Sequence, residues 1–230
     1  MKKIGFIFGT RPEVIKCIPL IIEAKNKGLE TLVVFTGQHK EMALPLFDLF
    51  GIKADIELEI MSGSQGLALM SAKLLCDLQE HEASLKECDV VMVQGDTTSA
   101  FVGGYFCFLN QIKIAHIEAG LRTNNLSSPF PEEGNRQLLS RICNYHFTPT
   151  LSASNDLKLE GVSLEAIHNV GNTGIDMLEI MKEQISERQY ADILERNNIS
   201  TKKEFVLITG HRRENFGAGL ESICSTLNEL

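Results

Sequence analysis

The sequence lacks the motifs that mark several common kinds of binding site. Its six cysteines form no Cys-x-x-Cys pair, so neither a zinc site nor a redox motif is indicated. No Lys/Arg run offsets the net charge of −8, which argues against a broad nucleic-acid or membrane-surface partner. Neither a Gly-x-Gly-x-x-Gly fingerprint nor a Walker A sequence occurs, so NAD and ATP are not favoured. We therefore expect no cofactor and no metal ion.

Long apolar segments are also missing. The segment after Met1-Lys2-Lys3 stops at Gly9, which is too short for the apolar part of a signal peptide. The longest other apolar stretch, 101–109, is too short to cross a bilayer. Most cysteines fall in apolar stretches and are expected to be free thiols, which suits a reducing compartment. We expect a soluble, cytoplasmic protein.

What the sequence does contain is a repeated pairing of a short apolar run with a polar cluster. The runs, rich in Val and Ile, are 4–8, 31–35, 90–93, 112–117 and 206–208. Such runs are typical of buried parallel strands. In an open α/β sheet, ligands bind beyond the carboxyl ends of the strands. The pattern predicts an α/β fold with a parallel sheet and one ligand cleft.

Helical patterns alternate with these strands. Thr10 and Glu13 form a capping-box pattern with Pro12 in the first turn of a helix. Further helices are predicted at 40–50, 65–85, 98–109, 131–142, 152–160 and 179–197, and further strands at 145–148 and 166–170. Gly103-Gly104 indicates close packing of a helix on the sheet.

The predicted domains follow from this order of elements. Residues 1–170 are expected to form a Rossmann-like domain, and residues 171–203 connecting helices. Residues 204–230 are expected to begin a second Rossmann-like domain with a strand at 204–209 and a helix at 220–230. One strand and one helix cannot bury their apolar faces alone, so we expect this second domain to be incomplete.

Four acidic residues and a histidine are candidates for chemistry. Asp96 precedes a helix, so an N-cap and a catalytic role are both open. Glu118 ends an apolar strand with no helix to cap, so partial desolvation suits it to acid/base work. Glu132 and Glu133 lie in a helix's first turn, where at least one compensates the helix dipole. His211 follows a predicted strand, and a site role is favoured over a structural one.

Two basic residues near the start are candidates for anion binding. Arg11 lies in the first turn of the first helix, beside N–H groups that have no partner within the helix. Lys16 is nearly a turn and a half later, and on spacing alone its ammonium group is expected to be solvated.

These segments together resemble the non-hydrolysing bacterial UDP-N-acetylglucosamine 2-epimerase family. The matching stretches are GTRPE (9–13) with Lys16, TGQH (36–39), QGDTT (94–98), HIEAGLRT (116–123), PFPEEGNR (129–136), GNT (171–173) and TGHRRENFG (209–217). They occur in family order along essentially the whole chain.

The resemblance implies two Rossmann-like domains that face each other across a cleft, as in GT-B glycosyltransferases, with the UDP-sugar between them. The implied reaction interconverts UDP-N-acetylglucosamine and UDP-N-acetylmannosamine. UDP leaves by anti elimination to give 2-acetamidoglucal, and it then adds back with inversion at sugar carbon 2. The resemblance also implies a homodimer and a role in cell-surface polysaccharide biosynthesis.

The resemblance assigns roles to residues at matching positions. The implied catalytic residues are Asp96, Glu118, Glu132 and His211. The implied substrate-binding residues are Arg11, Lys16 and Arg136, together with Asp96, Glu118 and His211. A second UDP-N-acetylglucosamine, bound as an activator, would contact Gln38, His39, Gln65 and Arg212. Which carboxylate removes the proton and which returns it stays open.

Three alternatives remain. A hydrolysing 2-epimerase would release N-acetylmannosamine and free UDP. In that branch a Gly-Gly-Glu-like sequence is expected after the Glu at the strand end. In this sequence Ala119-Gly120-Leu121 follows Glu118, which favours the non-hydrolysing branch.

Family chains continue through a complete second domain, so this chain is expected to be truncated. If the 230 residues were the whole gene product, we would expect an inactive nucleotide-sugar-binding module. A GT-B glycosyltransferase fits the carboxylates less well, because it needs no proton transfer at carbon 2.

Overall fold

The computed structural model describes residues 2–60, 66–200, 208 and 217–228. The chain divides into two compact units, Met1–Glu183 and Gln184–Leu230. The strands are β1 (Lys3–Phe8), β2 (Glu30–Phe35), β3 (Ile56–Glu57), β4 (Val90–Gln94), β5 (Ile114–Ile117), β6 (Tyr145–Thr148) and β7 (Ile167–Asn169). The helices are α1 (Arg11–Asn26), α2 (Lys40–Phe50), α3 (Leu67–Gln79), α4 (Glu82–Lys86), α5 (Thr98–Leu109), α6 (Glu132–Ile142), α7 (Leu151–Leu159), α8 (Thr173–Gln184), α9 (Glu187–Arg196) and α10 (Ala218–Asn228).

The first unit is built on one seven-stranded sheet in the order β3-β2-β1-β4-β5-β6-β7. Every strand pair is parallel. The strand order reverses between β1 and β4, so the loops that follow these two strands leave the sheet toward opposite faces and open a crevice. The prediction of a Rossmann-like α/β fold with a parallel sheet is confirmed.

Helices cover both faces of this sheet. On one face, apolar side chains of α3, α5 and α6 pack on the sheet, with Leu74, Phe106 and Leu139 fully buried or nearly so. On the other face α1, α2 and α8 contribute, with Ile18 and Phe47 in the core. A parallel sheet buried on both sides explains why its strands are continuous apolar runs in the sequence.

The glycine pair in α5 lets this helix approach its neighbours closely. A Cβ on Gly103 would lie 2.8 Å from Ile7 Cγ2, and one on Gly104 would lie 2.6 Å from Leu139 Cδ2. The first glycine therefore faces the sheet and the second faces α6. The predicted close packing of this helix is confirmed.

Two predicted helices are wrong in extent. The single helix predicted at 65–85 is α3 and α4, which a turn at His81 separates. The apolar pattern does not show this break, because Leu78 and Leu85 are both buried on its two sides. The helix predicted at 179–197 is α8 and α9, where Ser186 and Gln189 form a new capping box. The two-residue strand β3 was not predicted, because it is too short to carry a pattern.

The second unit consists of helices in the part that the structure describes. Helix α9 has Leu194 buried, and Tyr190 and Ile193 exposed on its surface. Helix α10 covers most of the predicted helix 220–230. The strand predicted at 204–209 lies, apart from Ile208, outside the described residues.

Candidate active site

The crevice at the reversal of strand order holds a cavity of about 170 Å³. The loops that follow β1 and β4 form its walls, and the end of β5 and the start of α6 complete it. The charged residues that line it are Glu13, Lys16, Asp96, Glu118 and Arg136. The sequence therefore places its polar clusters at strand ends, and the strand order brings three of those ends to one cavity.

Glu13 links the two crevice loops. Its carboxylate is 1% exposed, and Oε2 accepts hydrogen bonds from the backbone N–H groups of Gly9 at 3.0 Å and Thr10 at 2.7 Å. Oε1 accepts a hydrogen bond from the Thr97 hydroxyl at 2.6 Å. Burial raises the pKa of Glu13, and these hydrogen bonds oppose the shift. The predicted capping residue thus also ties the first helix to the loop after β4.

Glu118 receives hydrogen bonds from three side chains. Lys16 forms an ion pair with Oε2, and the Gln94 amide donates to the same oxygen. The Asn172 amide donates to Oε1 at 3.3 Å. The Glu118 side chain is 14% exposed, so these donors replace most of its water. The expectation of a solvated Lys16 is wrong, because the cavity brings a carboxylate to it.

The backbone around Glu118 is unusual. Glu118 itself has φ 63°, a left-handed conformation that is uncommon for residues other than glycine. Gly120 has φ 87°, and a Cβ there would lie 2.3 Å from the Ala153 carbonyl oxygen. The Ala119 N–H donates to Phe147 O at 3.0 Å. This turn aims the Glu118 carboxylate at the cavity rather than along the strand.

A buried ion pair anchors the same turn further along the chain. Arg122, with 2% of its side chain exposed, donates from Nε and Nη2 to Glu160 at 2.6 and 2.9 Å. It also donates to the Ser140 hydroxyl at 2.5 Å. The Arg122 guanidinium lowers the pKa of Glu160 by its hydrogen bonds and charge. The turn is therefore fixed to α6 and to the end of α7.

Asp96 precedes α5 but does not cap this helix. Thr97, rather than Asp96, caps α5, because its hydroxyl accepts from the Ala100 N–H at 3.0 Å. The N-cap role considered for Asp96 is therefore wrong. Its carboxylate faces Arg136, with Oδ2 3.5 Å from Nε. Burial raises the pKa of Asp96, and nearby negative charge adds to the shift, while the positive charges of Arg136 and Lys16 oppose it.

The two glutamates at the start of α6 have separate surroundings. Glu133 is fully buried and accepts hydrogen bonds from the backbone N–H groups of Thr123 at 3.0 Å and Asn124 at 3.1 Å. Burial acts to raise the pKa of Glu133, but a hydrogen bond from the Gln137 amide, these two backbone donors and the charge of Arg136 together lower it. Glu132 has its Oε2 buried without a hydrogen-bond partner among the described residues. Its charge adds to the raised pKa of Asp96.

Of the residues expected to bind the substrate or an activator, Arg11, Gln38 and His39 are described and are not among the residues that line the cavity. Arg11 is exposed at the first position of α1. The Gln38 side-chain oxygen accepts a hydrogen bond from Ser99 at 2.9 Å, and the His39 N–H donates to Gly9 O at 2.8 Å. Burial and the charge of Arg11 lower the pKa of His39. The remaining predicted site residues, Gln65, His211 and Arg212, lie outside the described residues.

Several residues of this site were not predicted from the sequence. Gln94 and Asn172 donate to Glu118, and Asn135 and His116 bind the loop of Asp96. All four fall within the stretches that carry the family resemblance, which is the signal that could have found them. Their residue types alone do not distinguish a ligand contact from ordinary packing.

The arrangement is suited to proton transfer beside an anionic ligand. One carboxylate, Glu118, is held by a cation and two amides, and the other, Asp96, has a raised pKa. Carboxyl groups in contrasting environments are typical of acid/base pairs. Lys16 and Arg136 supply positive charge to the same cavity. Among the described residues, no cluster of His, Cys, Asp and Glu could hold a metal ion, and no helix is long and apolar enough to cross a membrane.

Comparison with known proteins matches the chain to one family. The sequence profile described as UDP-N-acetylglucosamine 2-epimerase matches residues 22–230. A protein named UDP-N-acetylglucosamine 2-epimerase from Campylobacter jejuni is 42% identical, over 99% of this chain and 61% of its own length. One of the same name from Escherichia coli K12 is 41% identical, over 99% of this chain and 61% of its own length. The chain thus spans about three fifths of these curated relatives.

Solved structures agree with this match. The UDP-GlcNAc 2-epimerase of Neisseria meningitidis, bound to UDP-GlcNAc, superimposes with a TM-score of 0.89 at 38% identity, over 100% of this chain and 62% of that one. The Methanocaldococcus jannaschii enzyme, in complex with UDP-GlcNAc and UDP, gives a TM-score of 0.82 at 32% identity, over 99% of this chain and 62% of that one. With the predicted resemblance thus confirmed, this chain belongs to the UDP-N-acetylglucosamine 2-epimerase family.

Proposed function

We propose that this protein interconverts UDP-N-acetylglucosamine and UDP-N-acetylmannosamine. The observation that carries the proposal is that Asp96 and Glu118, in contrasting environments, line one cavity together with two cations in a chain of this family. The similar structure from Neisseria meningitidis, which is bound to UDP-GlcNAc, supports the choice of substrate.

The proposed reaction moves one proton and one UDP group in each direction. A base takes the proton from sugar carbon 2, and that electron pair forms the C1–C2 double bond as the C1–oxygen bond to UDP breaks. The UDP oxygen then adds back to C1, and an acid protonates the opposite face of carbon 2. Asp96, Glu118 and Glu132 are the groups we propose for these proton transfers, within the usual range of carboxylate catalysis.

The basic residues are proposed to bind the substrate and to support the departure of UDP. Lys16 and Arg136 line the cavity, and Arg11 lies at the N-terminus of α1, where backbone N–H groups favour an anion. His211 is proposed to assist the leaving diphosphate. For a second, activating UDP-sugar we propose contacts with Gln38, His39, Gln65 and Arg212.

An isotope experiment tests this function. The protein is incubated with UDP-N-acetylglucosamine in D2O, and the products are followed by proton NMR. We expect UDP-N-acetylmannosamine with deuterium at carbon 2. The isomer without deuterium would contradict the elimination scheme. Free N-acetylmannosamine would instead indicate the hydrolysing reaction, and binding without any turnover would indicate a nucleotide-sugar-binding module.

We also propose the domain boundaries, the oligomeric state and the cellular location of the protein. Residues 1–170 are proposed as the N-terminal Rossmann-like domain, 171–203 as connecting helices and 204–230 as the start of a second, GT-B-like domain. A homodimer is proposed from the resemblance to the family, and sedimentation equilibrium tests it. A cytoplasmic location is supported by the six free cysteines, and a fluorescent fusion imaged in cells tests it.

A further inference from the structure

The loop that carries Asp96 is held at three consecutive residues by side chains from outside the loop. The three contacts join Gly95 O to His116 Nε2 at 2.7 Å, Asp96 O to Asn135 Nδ2 at 2.7 Å, and Thr97 Oγ1 to Glu13 Oε1 at 2.6 Å. The three holding side chains come from β5, α6 and α1 respectively. All three residues are buried, being 0%, 7% and 1% exposed.

The carboxyl group of Asp96 is not held in the same way. Among the described residues its only ion-pair partner is Arg136, whose Nε is 3.5 Å from Oδ2, beyond a good hydrogen bond. The Asp96 side chain stays 31% exposed at the cavity. The protein therefore fixes the main chain at Gly95 and Asp96 and the hydroxyl of Thr97, and it leaves the Asp96 carboxyl group available.

The hydrogen bond between His116 and Gly95 defines the tautomer of the imidazole ring. A carbonyl oxygen only accepts hydrogen bonds, so Nε2 carries the proton and donates to Gly95 O. Burial lowers the pKa of His116 to about 3; the charges of Arg122 and Arg136 and the nearby His146 also lower it, while the bond to Gly95 opposes this. Near pH 7 the ring is neutral, and Nδ1 is buried without a partner among the described residues. His116 therefore acts as a hydrogen-bond donor to Gly95 through Nε2, and its ring does not change charge near pH 7.

We propose that Glu13, His116 and Asn135 are positioning residues that fix residues 95–97 and so direct the Asp96 carboxyl into the cavity. His116 and Asn135 are not among the residues that line the cavity. Glu13 does line it, but both of its carboxylate oxygens accept hydrogen bonds from protein groups. Each residue therefore acts through the loop. The expected effect of these residues on turnover rests on the proposed function. Their role in fixing residues 95–97 does not.

Matched variants of two buried histidines test the proposal by kinetics. His116→Leu removes the donor to Gly95, and His116→Gln keeps an amide donor. His146→Leu is the control, because His146 is 1% exposed and lies opposite His116 in the β5–β6 register. Within the described part of the chain, its Nδ1 has no hydrogen-bond partner. We expect His116→Leu to lower kcat about 10- to 100-fold, the scale on which small misplacements act, with KM changed less than about threefold. His116→Gln should recover most of this loss.

Nuclear magnetic resonance provides readouts that do not need turnover. Nitrogen-15 shifts should show the Nε2–H tautomer of His116 at pH 7, and amide exchange at residues 96 and 97 should quicken in His116→Leu but not in His116→Gln or His146→Leu. An Nδ1–H tautomer, or equal exchange in both leucine variants, would overturn the proposal. So would equal kcat in the Leu and Gln variants of His116. If the wild type shows no turnover but the exchange pattern holds, the proposed function fails and the positioning role stands.

Discussion

The loops that follow β4 and β5 carry the two central carboxylates of this site, and they are built in opposite ways. Glu118 has its carboxylate fixed by Lys16, Gln94 and Asn172. Asp96 has its main-chain carbonyl fixed by Asn135, while its carboxyl group has Arg136, at 3.5 Å, as its one ion-pair partner among the described residues. Burial of a carboxyl group without hydrogen bonds favours its neutral form, and burial raises the pKa of Asp96. The comparison teaches that the Glu118 carboxylate is fixed in place, whereas Asp96 is the group suited to exchange a proton.

The strongest test of this difference removes the exchangeable group. Asp96→Asn keeps the shape of the side chain but cannot accept or return a proton. We expect turnover of UDP-N-acetylglucosamine to fall by about 100-fold or more, the usual contribution of a general acid or base. NMR of the products measures the rate. Asp48→Asn, at an exposed position of α2, should leave it unchanged, and an active Asp96→Asn enzyme would remove Asp96 from the mechanism.

The second test disturbs the turn that aims Glu118. Gly120→Ala places a Cβ 2.3 Å from the Ala153 carbonyl oxygen in a residue with φ 87°. We expect it to lower the free energy of unfolding by about 3 kcal/mol through clash and backbone strain. Gly134→Ala, inside α6 with open space around its Cβ, should instead be neutral or stabilising by up to about 1 kcal/mol. Urea unfolding compares the two, and equal effects would mean that the turn is not tightly packed.

The third test removes the cation from Glu118. Lys16→Met leaves the largely buried Glu118 carboxylate with two amide donors, Gln94 and Asn172, from the part of the chain that the structure describes. We expect a loss of about 1–3 kcal/mol in the free energy of unfolding, as for other hydrogen bonds to charged groups. Lys25→Met, on the exposed surface of the same helix, should change it by less than about 0.5 kcal/mol. No difference between the two variants would show that Lys16 is solvated after all.

The smallest expected effect is a dependence of stability on pH. Because the pKa of Asp96 is raised in the folded state, the native protein binds its proton more tightly than the unfolded chain does. Its contribution to stability is therefore fully present below the unfolded pKa and is lost as the pH rises through the folded pKa. Asp96→Asn lacks this loss, so its stability relative to the wild type should increase over that rise in pH. Denaturation at a series of pH values measures the difference, and a constant difference would contradict the raised pKa.

Local patterns were sufficient to predict much of the first unit. The apolar runs predicted β1, β2, β4 and β5 within about two residues at each end. Helices α2 and α5 have the predicted bounds, and α6 and α7 lie within one residue of theirs. The break at His81 was missed because both helices bury leucines on the same core, so the apolar period continues through a turn.

The candidate site was predicted only in part, for a physical reason. Asp96 and Glu118 follow strands, so their position at one edge of a parallel sheet is encoded locally. The ion pair of Lys16 with Glu118 joins residues 102 apart, and no local pattern predicts such a contact. The same holds for Asn172, which is 54 residues from Glu118.

By itself, the sequence determined the elements of the sheet, the polar residues at their ends and, through its motifs, the family. These follow from the spacing of neighbouring residues, because burial of one face requires a regular period. Only the tertiary structure decided that Glu118 is fixed by its carboxylate and Asp96 by its main chain. It also decided that Glu133 accepts hydrogen bonds from the backbone N–H groups of Thr123 and Asn124. One carboxylate oxygen of Glu132 has no hydrogen-bond partner among the described residues. The contacts of Lys16 with Glu118 and of Glu13 with Thr97 depend on β1 lying beside β4, because this strand order brings distant parts of the chain within hydrogen-bonding distance.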